Sequence, residues 1–248
     1  VDTEQVSESI LSRPASEPDD VLTWGPQNDQ LADLRLGSAT QPLIIVIHGG
    51  FWRPRTDRTH LRSMTQALAD CGYTVISPEY RRVSGDPDIT MDDIRVGLQV
   101  LPTAVHGYFD GRVILMGHSA GSHLALWAAA TCPPPGLIAT IALAPIADLQ
   151  AANTANLGGG ALMDFIGGPV EERFDLDPAR LPSPLHPTTL FSGALDDEVP
   201  PTMSDGYLRA HPGVDSRVLE SVGHYEFIDP NSAVWPTIVA TLRAVSQR

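Results

Sequence analysis

Lysine is missing from this chain: all sixteen basic residues among its 248 are arginine. Without a side-chain amine, Schiff-base chemistry, a pyridoxal phosphate anchor and a P-loop nucleotide site are all excluded. Cysteine is almost as scarce. Cys71 and Cys132 are too few for a disulfide framework or a thiolate metal cluster, and read as buried free thiols. No run approaches the ~18 apolar residues of a membrane-spanning helix, and no charged-then-apolar signal segment opens the chain. A cytoplasmic location is the expectation, with a leader removed before Val1 left open. Positive charge is short as well. A net charge of −14 opposes binding to nucleic acid or to an anionic membrane surface.

What is present is a two-period pattern. After a polar arm (residues 1–20), "VLTWG" and "LADLRLG" alternate as half-exposed strands joined by the turn-like "PQND". Then "PLIIVIHGG", "YTVISP", "RVILMG", "LIATIALAP" and "PTTLFSG" read as strands buried on both faces, separated by helical stretches. This alternation predicts an α/β fold in one domain over 1–248. About eight mostly parallel strands would carry helices on both faces. Residues 148–185, with "LGGG", "IGGP" and several prolines, break the rhythm and read as a small, mostly helical cap insertion.

Ligands in such sheets bind beyond the carboxyl ends of the strands. Ser119 lies there, in "GHSAG" between a strand and a helix. A Gly-x-Ser-x-Gly arises by chance in such a chain roughly 0.1 times, so its setting carries the meaning. Gly117 and Gly121 suit a sharp turn that raises the serine, and the following helix places a partial positive charge beneath it. Asp196, in "GALDDEVPP", and His224, in "LESVGHYEF", follow later strands. A serine hydroxyl needs a base, and the base an orienting carboxylate. The order Ser119, Asp196, His224 supplies both. Asp196 is preferred over Asp197 by the D-x-x-V-P spacing. The glycines of "HGGFW" let backbone amides approach a reacting carbonyl, and the oxyanion donors are assigned to Gly50, Phe51 and Ala120. Trp52 and His118 are assigned to the substrate pocket. His48 reads as structural. Arg53, Arg55 and Arg58 form a loop cluster, either paired with Asp57 or offering a fork to a substrate carboxylate.

Together "HGGFW", "PEYRR", "GHSAGSHLA", "GALDDEVP" and "GHYEF" resemble the esterase and arylformamidase (kynurenine formamidase-like) branch of the α/β-hydrolases. The resemblance runs from about Val21 to the end, apart from the cap. "PEYRR" stands where hormone-sensitive-lipase-like relatives have "DYRLAPE". The resemblance implies a serine hydrolase without cofactors or metal, acting on short-chain esters or on N-formylkynurenine-like formamides. The expectation is a carboxylesterase acting through an acyl-enzyme on a small-molecule ester or amide. An arylformamidase is the alternative, and a catalytically silent hydrolase-fold binding protein the third. A homodimer is compatible with this reading. The pocket is expected between Ser119, Trp52 and the cap.

Overall fold

The structure is a computed structural model describing residues 8–247; the first seven residues of the expected arm, and Arg248, lie outside the described residues. Among the described residues, eight strands form one sheet. They are β1 (Asp20–Thr23), β2 (Leu31–Arg35), β3 (Leu43–Ile47), β4 (Thr74–Pro78), β5 (Val113–His118), β6 (Leu137–Leu143), β7 (Thr188–Gly193) and β8 (Asp215–Leu219). Their spatial order is β1-β2-β4-β3-β5-β6-β7-β8. β1 and β2 pair antiparallel, β2 joins β4 antiparallel, and every pairing from β4 to β8 is parallel.

The buried strands use both faces. Along β3, Leu43, Ile45 and Ile47 enter one core cluster while Ile44 and Val46 enter the other, all fully buried. β5 alternates in the same way, with Val113 and Leu115 against Ile114 and Met116. Period-two alternation between two apolar layers explains why these strands read as unbroken apolar runs. Each such side chain contributes roughly 2 kcal/mol by leaving water.

One layer is built by helices α2 (Pro87–Ala104) and α3 (Ala120–Thr131), through Met91, Ile94, Leu98, Leu124 and Ala128. The other is built by α1 (Arg62–Asp70) and a closing helix at Trp235–Ser246, through Met64, Leu68, Ile238 and Leu242. Every residue of α3 up to Ala129 is buried, so this helix is apolar all round rather than amphipathic. Cys71 and Cys132 are free but only half-buried, in place of the full burial expected from their sequence setting.

The segment 148–185 forms two six-residue helices, α4 (Leu149–Thr154) and α5 (Ala161–Ile166), then three short 3-10 turns. Asp148 caps α4 by accepting from the Ala151 amide at 2.9 Å. Leu149, Leu162, Phe165, Val170 and Leu176 join the α2/α3 core, so the segment is packed into the body. Helix α6 (Asp205–Ala210) precedes β8, and the closing helix is α7. Among the described residues, no helix is long and apolar enough to cross a membrane.

Candidate active site

Ser119 follows β5 directly and has φ 56° and ψ −124°, a conformation L-residues adopt only under constraint. The constraint is visible on both sides. A Cβ on Gly117 would run into the Gly121 carbonyl, and one on Gly121 would run into the Ile47 carbonyl. The turn is then tied down from within: Ser119 N donates to Leu143 O at 2.9 Å, and Ser122 Oγ to Gly117 O at 2.6 Å. Helix α3 begins at the next residue, so its N-terminal dipole points at the serine.

His224 and Asp196 meet across the loops that follow β7 and β8. His224 Nδ1 donates to Asp196 Oδ2 at 2.8 Å, with both residues buried. The other oxygen of Asp196 accepts from the amides of Glu198 (3.1 Å) and Val199 (2.7 Å). This fixes the carboxylate and leaves Asp197 exposed. His118 donates from Nε2 to the His224 carbonyl at 3.0 Å, holding the loop that carries the imidazole. Burial, and then the neighbouring His224, push the His118 pKa well down, so His118 stays neutral.

Ser119 and His224 line one cavity of about 340 Å³, together with His118, Gly50 and Phe51. A larger, wide-open groove of about 660 Å³ lies between β8 and α7, but among the described residues no serine, cysteine or histidine lines it. The smaller cavity is therefore the candidate site.

Over the sheet end, the "HGGFW" loop runs through three successive positive-φ residues: Gly50 (108°), Phe51 (52°) and Trp52 (55°). Among the described residues, the amides of Gly50, Phe51 and Ala120 have no hydrogen-bond acceptor. Beneath the loop, His48 Nδ1 lies 2.8 Å from the Gly49 carbonyl and its Nε2 lies 2.9 Å from Glu79 Oε1. Glu79 also accepts from Arg82 at 2.7 Å and from the amides of Tyr80 and Arg58 at 3.0 Å. Burial opposes ionisation of Glu79. The His48 hydrogen bond, the charges of His48 and Arg82 and the Arg58 amide outweigh it and hold the carboxyl down to about 2.

Two pocket expectations change. Trp52 does not line the Ser119 cavity. It is buried, stacks on Phe165 with ring centres 5.0 Å apart, and donates to His123 Nδ1 at 3.2 Å. His123 passes the link on through Nε2 to the Leu176 carbonyl at 2.8 Å. Burial lowers its pKa to about 4, consistent with a neutral ring that accepts at one nitrogen and donates at the other. Nor does any residue of 148–185 line this cavity. The segment braces the "HGGFW" loop from behind, and Arg53 adds a bond to the Gly158 carbonyl at 2.9 Å.

The outer wall comes from residues the sequence reading did not assign: Leu11, Thr56, His60, Glu198 and Tyr225. Glu198 and Tyr225 flank Asp196 and His224 in sequence, a signal that was available. Leu11 carried none.

The BD-FAE family matches residues 34–134, which hold the "HGGFW" loop and the Ser119 turn but neither Asp196 nor His224. No curated protein matches the chain. Among solved structures, esterase B from Lactobacillus rhamnosis, inhibited by a C4-C4 tributyrin phosphonate, superposes with a TM-score of 0.78 at 20% identity. The match covers 99% of this chain and 92% of that one. A truncated carbohydrate esterase from gut microbiota gives 0.79 at 16% identity, over 95% and 99% of the chains. Esterase 2 of Thermogutta terrifontis, phosphonylated by sarin, gives 0.70 at 16%, over 95% of each. The fold is that of the α/β-hydrolases, as the strand order and these likenesses agree.

Proposed function

We propose that this protein is a serine hydrolase of small carboxylic esters. The observation that carries the reading is the buried Asp196–His224 pair at 2.8 Å, opening into the cavity that Ser119 lines from its strained turn. Ser119 Oγ attacks the ester carbonyl carbon while His224 Nε2 takes its proton. Asp196 holds the Nδ1–H tautomer and stabilises the imidazolium. The carbonyl oxygen becomes an oxyanion against the amides of Ala120, Gly50 and Phe51, each donor worth about 3–4 kcal/mol in the transition state. Collapse expels the alcohol, which takes the proton from His224, and leaves an acyl-Ser119. Water, deprotonated by the same histidine, attacks the acyl carbon and releases the acid.

A cavity of about 340 Å³ favours short acyl groups. Two neighbours of the same fold lend support: esterase B is inhibited by a tributyrin phosphonate, and the Thergomutta esterase 2 is phosphonylated by sarin. The same chemistry on this chain requires that a fluorophosphonate add one phosphonyl group, on Ser119, and abolish hydrolysis of p-nitrophenyl acetate and butyrate. Labelling elsewhere, or none, removes the proposal. Parallel assay with N-formylkynurenine separates an esterase, which leaves it intact, from an arylformamidase.

A further inference from the structure

The three arginines that follow the "HGGFW" loop have different fates. Arg58 is spent on buried carboxylates, with Asp33 at 2.7 Å and Glu79 at 4.0 Å. Arg53 bonds the Gly158 carbonyl and faces Asp164 at 3.6 Å. Arg55 lines the Ser119 cavity, is exposed there, and among the described residues has neither an ion pair nor a hydrogen bond. Asp57, the acidic neighbour in sequence, makes no ion pair with it and accepts from the amide and hydroxyl of Thr59. Glu198, the acidic residue of the cavity, takes the Tyr225 hydroxyl at 3.2 Å. In a protein with net charge −14, the mouth of the candidate active site thus carries a guanidinium that, among the described residues, is without an ion pair or hydrogen bond.

We propose that Arg55 binds a carboxylate on the substrate, remote from the scissile carbonyl, so that the preferred substrates are anionic esters such as half-esters of dicarboxylic acids or acylated hydroxy acids. The assignment rests on the serine-hydrolase reading of the same cavity. A guanidinium offers two parallel N–H donors to a carboxylate, geometry that a neutral ester of equal length cannot use. Its exposure limits the gain to that of a solvated ion pair, about two- to fivefold in KM at low salt. Added salt should erode that advantage.

Two matched pairs test this. Mono-p-nitrophenyl glutarate against p-nitrophenyl butyrate places the carboxylate on the acyl side, and 3-acetoxybenzoate against phenyl acetate places it on the leaving group. In at least one pair, the anionic-to-neutral ratio of kcat/KM should fall about two- to fivefold in Arg55→Gln, fall further in Arg55→Glu, and largely return in Arg55→Lys. A ratio that is the same in all three variants and the unsubstituted protein overturns the role of Arg55 while hydrolysis itself continues. If none of the four esters is hydrolysed, the serine-hydrolase reading falls, and this assignment with it.

Discussion

Asp196 shows how a single side chain is committed to one task. Its Oδ1 is saturated by two amides of its own loop, so only Oδ2 is left for His224. An asparagine at this position keeps the size and the acceptor, but it can present an amide N–H to His224 and favour the wrong tautomer. Under the proposed mechanism, Asp196→Asn should lower kcat by about 10⁴ with little change in KM. Asp197→Asn, at an exposed neighbouring position, should change kcat by less than about twofold. Steady-state kinetics on p-nitrophenyl acetate decide between them. Equal losses in the two variants, or a loss only in the second, would assign the orienting role differently. Thermal melts of both proteins separate a chemical defect from a folding one.

At the scale of elements, the cavity wall is set by a strap that pattern reading leaves as a loose arm. Residues 8–11 are helical, Ile10 is buried in the α1/α7 core cluster, and the next residue, Leu11, reaches the cavity. Arg13 pins the strap to Asp229 at 2.7 Å, and Arg35 holds the Ser16 carbonyl at 2.6 Å. Leu11 is 37% exposed, so its truncation costs little stability, but it removes apolar wall beside the site. Leu11→Ala should raise kcat/KM for p-nitrophenyl octanoate over acetate about tenfold, the scale of a methylene-sized change in a pocket. An unchanged chain-length profile would show that Leu11 only borders the cavity.

The contrast with the core strands is physical. β3 to β7 are legible because residues buried on both faces must be apolar in succession. The Ser119 turn is legible because Gly117 and Gly121 each face backbone that admits no side chain. Trp52 was not. Whether it faces the cavity or the core depends on Phe165 and His123, partners brought to it only by the assembled fold. The same holds for 148–185, whose position behind the loop is a matter of packing that composition does not encode. Leu11 escaped because a short helical turn fixed by one ion pair and one buried isoleucine leaves no periodic trace.

For the whole molecule, the buried ionic network beneath the "HGGFW" loop ties activity and stability to pH in one direction. Glu79 ionises more readily folded than unfolded, with its carboxyl held down to about 2 against an ordinary value near 4.5. The unfolded chain therefore binds more protons across that interval. The stability Glu79 contributes is complete above about 4.5 and lost as pH falls toward about 2. His118 and His123 act with the same sign. Each is buried and neutral, with a folded pKa below the ordinary 6.5, so the unfolded state gains protons first as the solution is acidified. Unfolding free energy should consequently fall continuously from pH 7 downward, first through the histidines and then through Glu79. Glu79→Gln breaks the contact with Arg82 and His48 and leaves buried charge uncompensated, costing about 3–5 kcal/mol at pH 7. It should also flatten the slope below about pH 4.5. Urea unfolding at pH 7, 5.5, 4 and 3 measures both effects. A variant that loses stability at pH 7 yet keeps the full acid slope would place the titrating group elsewhere. Because the same carboxylate positions His48 and, through it, the Gly49 carbonyl, the variant should also lose kcat at pH 7 while still folded. Under the proposed mechanism its remaining activity should still be abolished by fluorophosphonate at Ser119, which separates a misplaced "HGGFW" loop from a missing nucleophile.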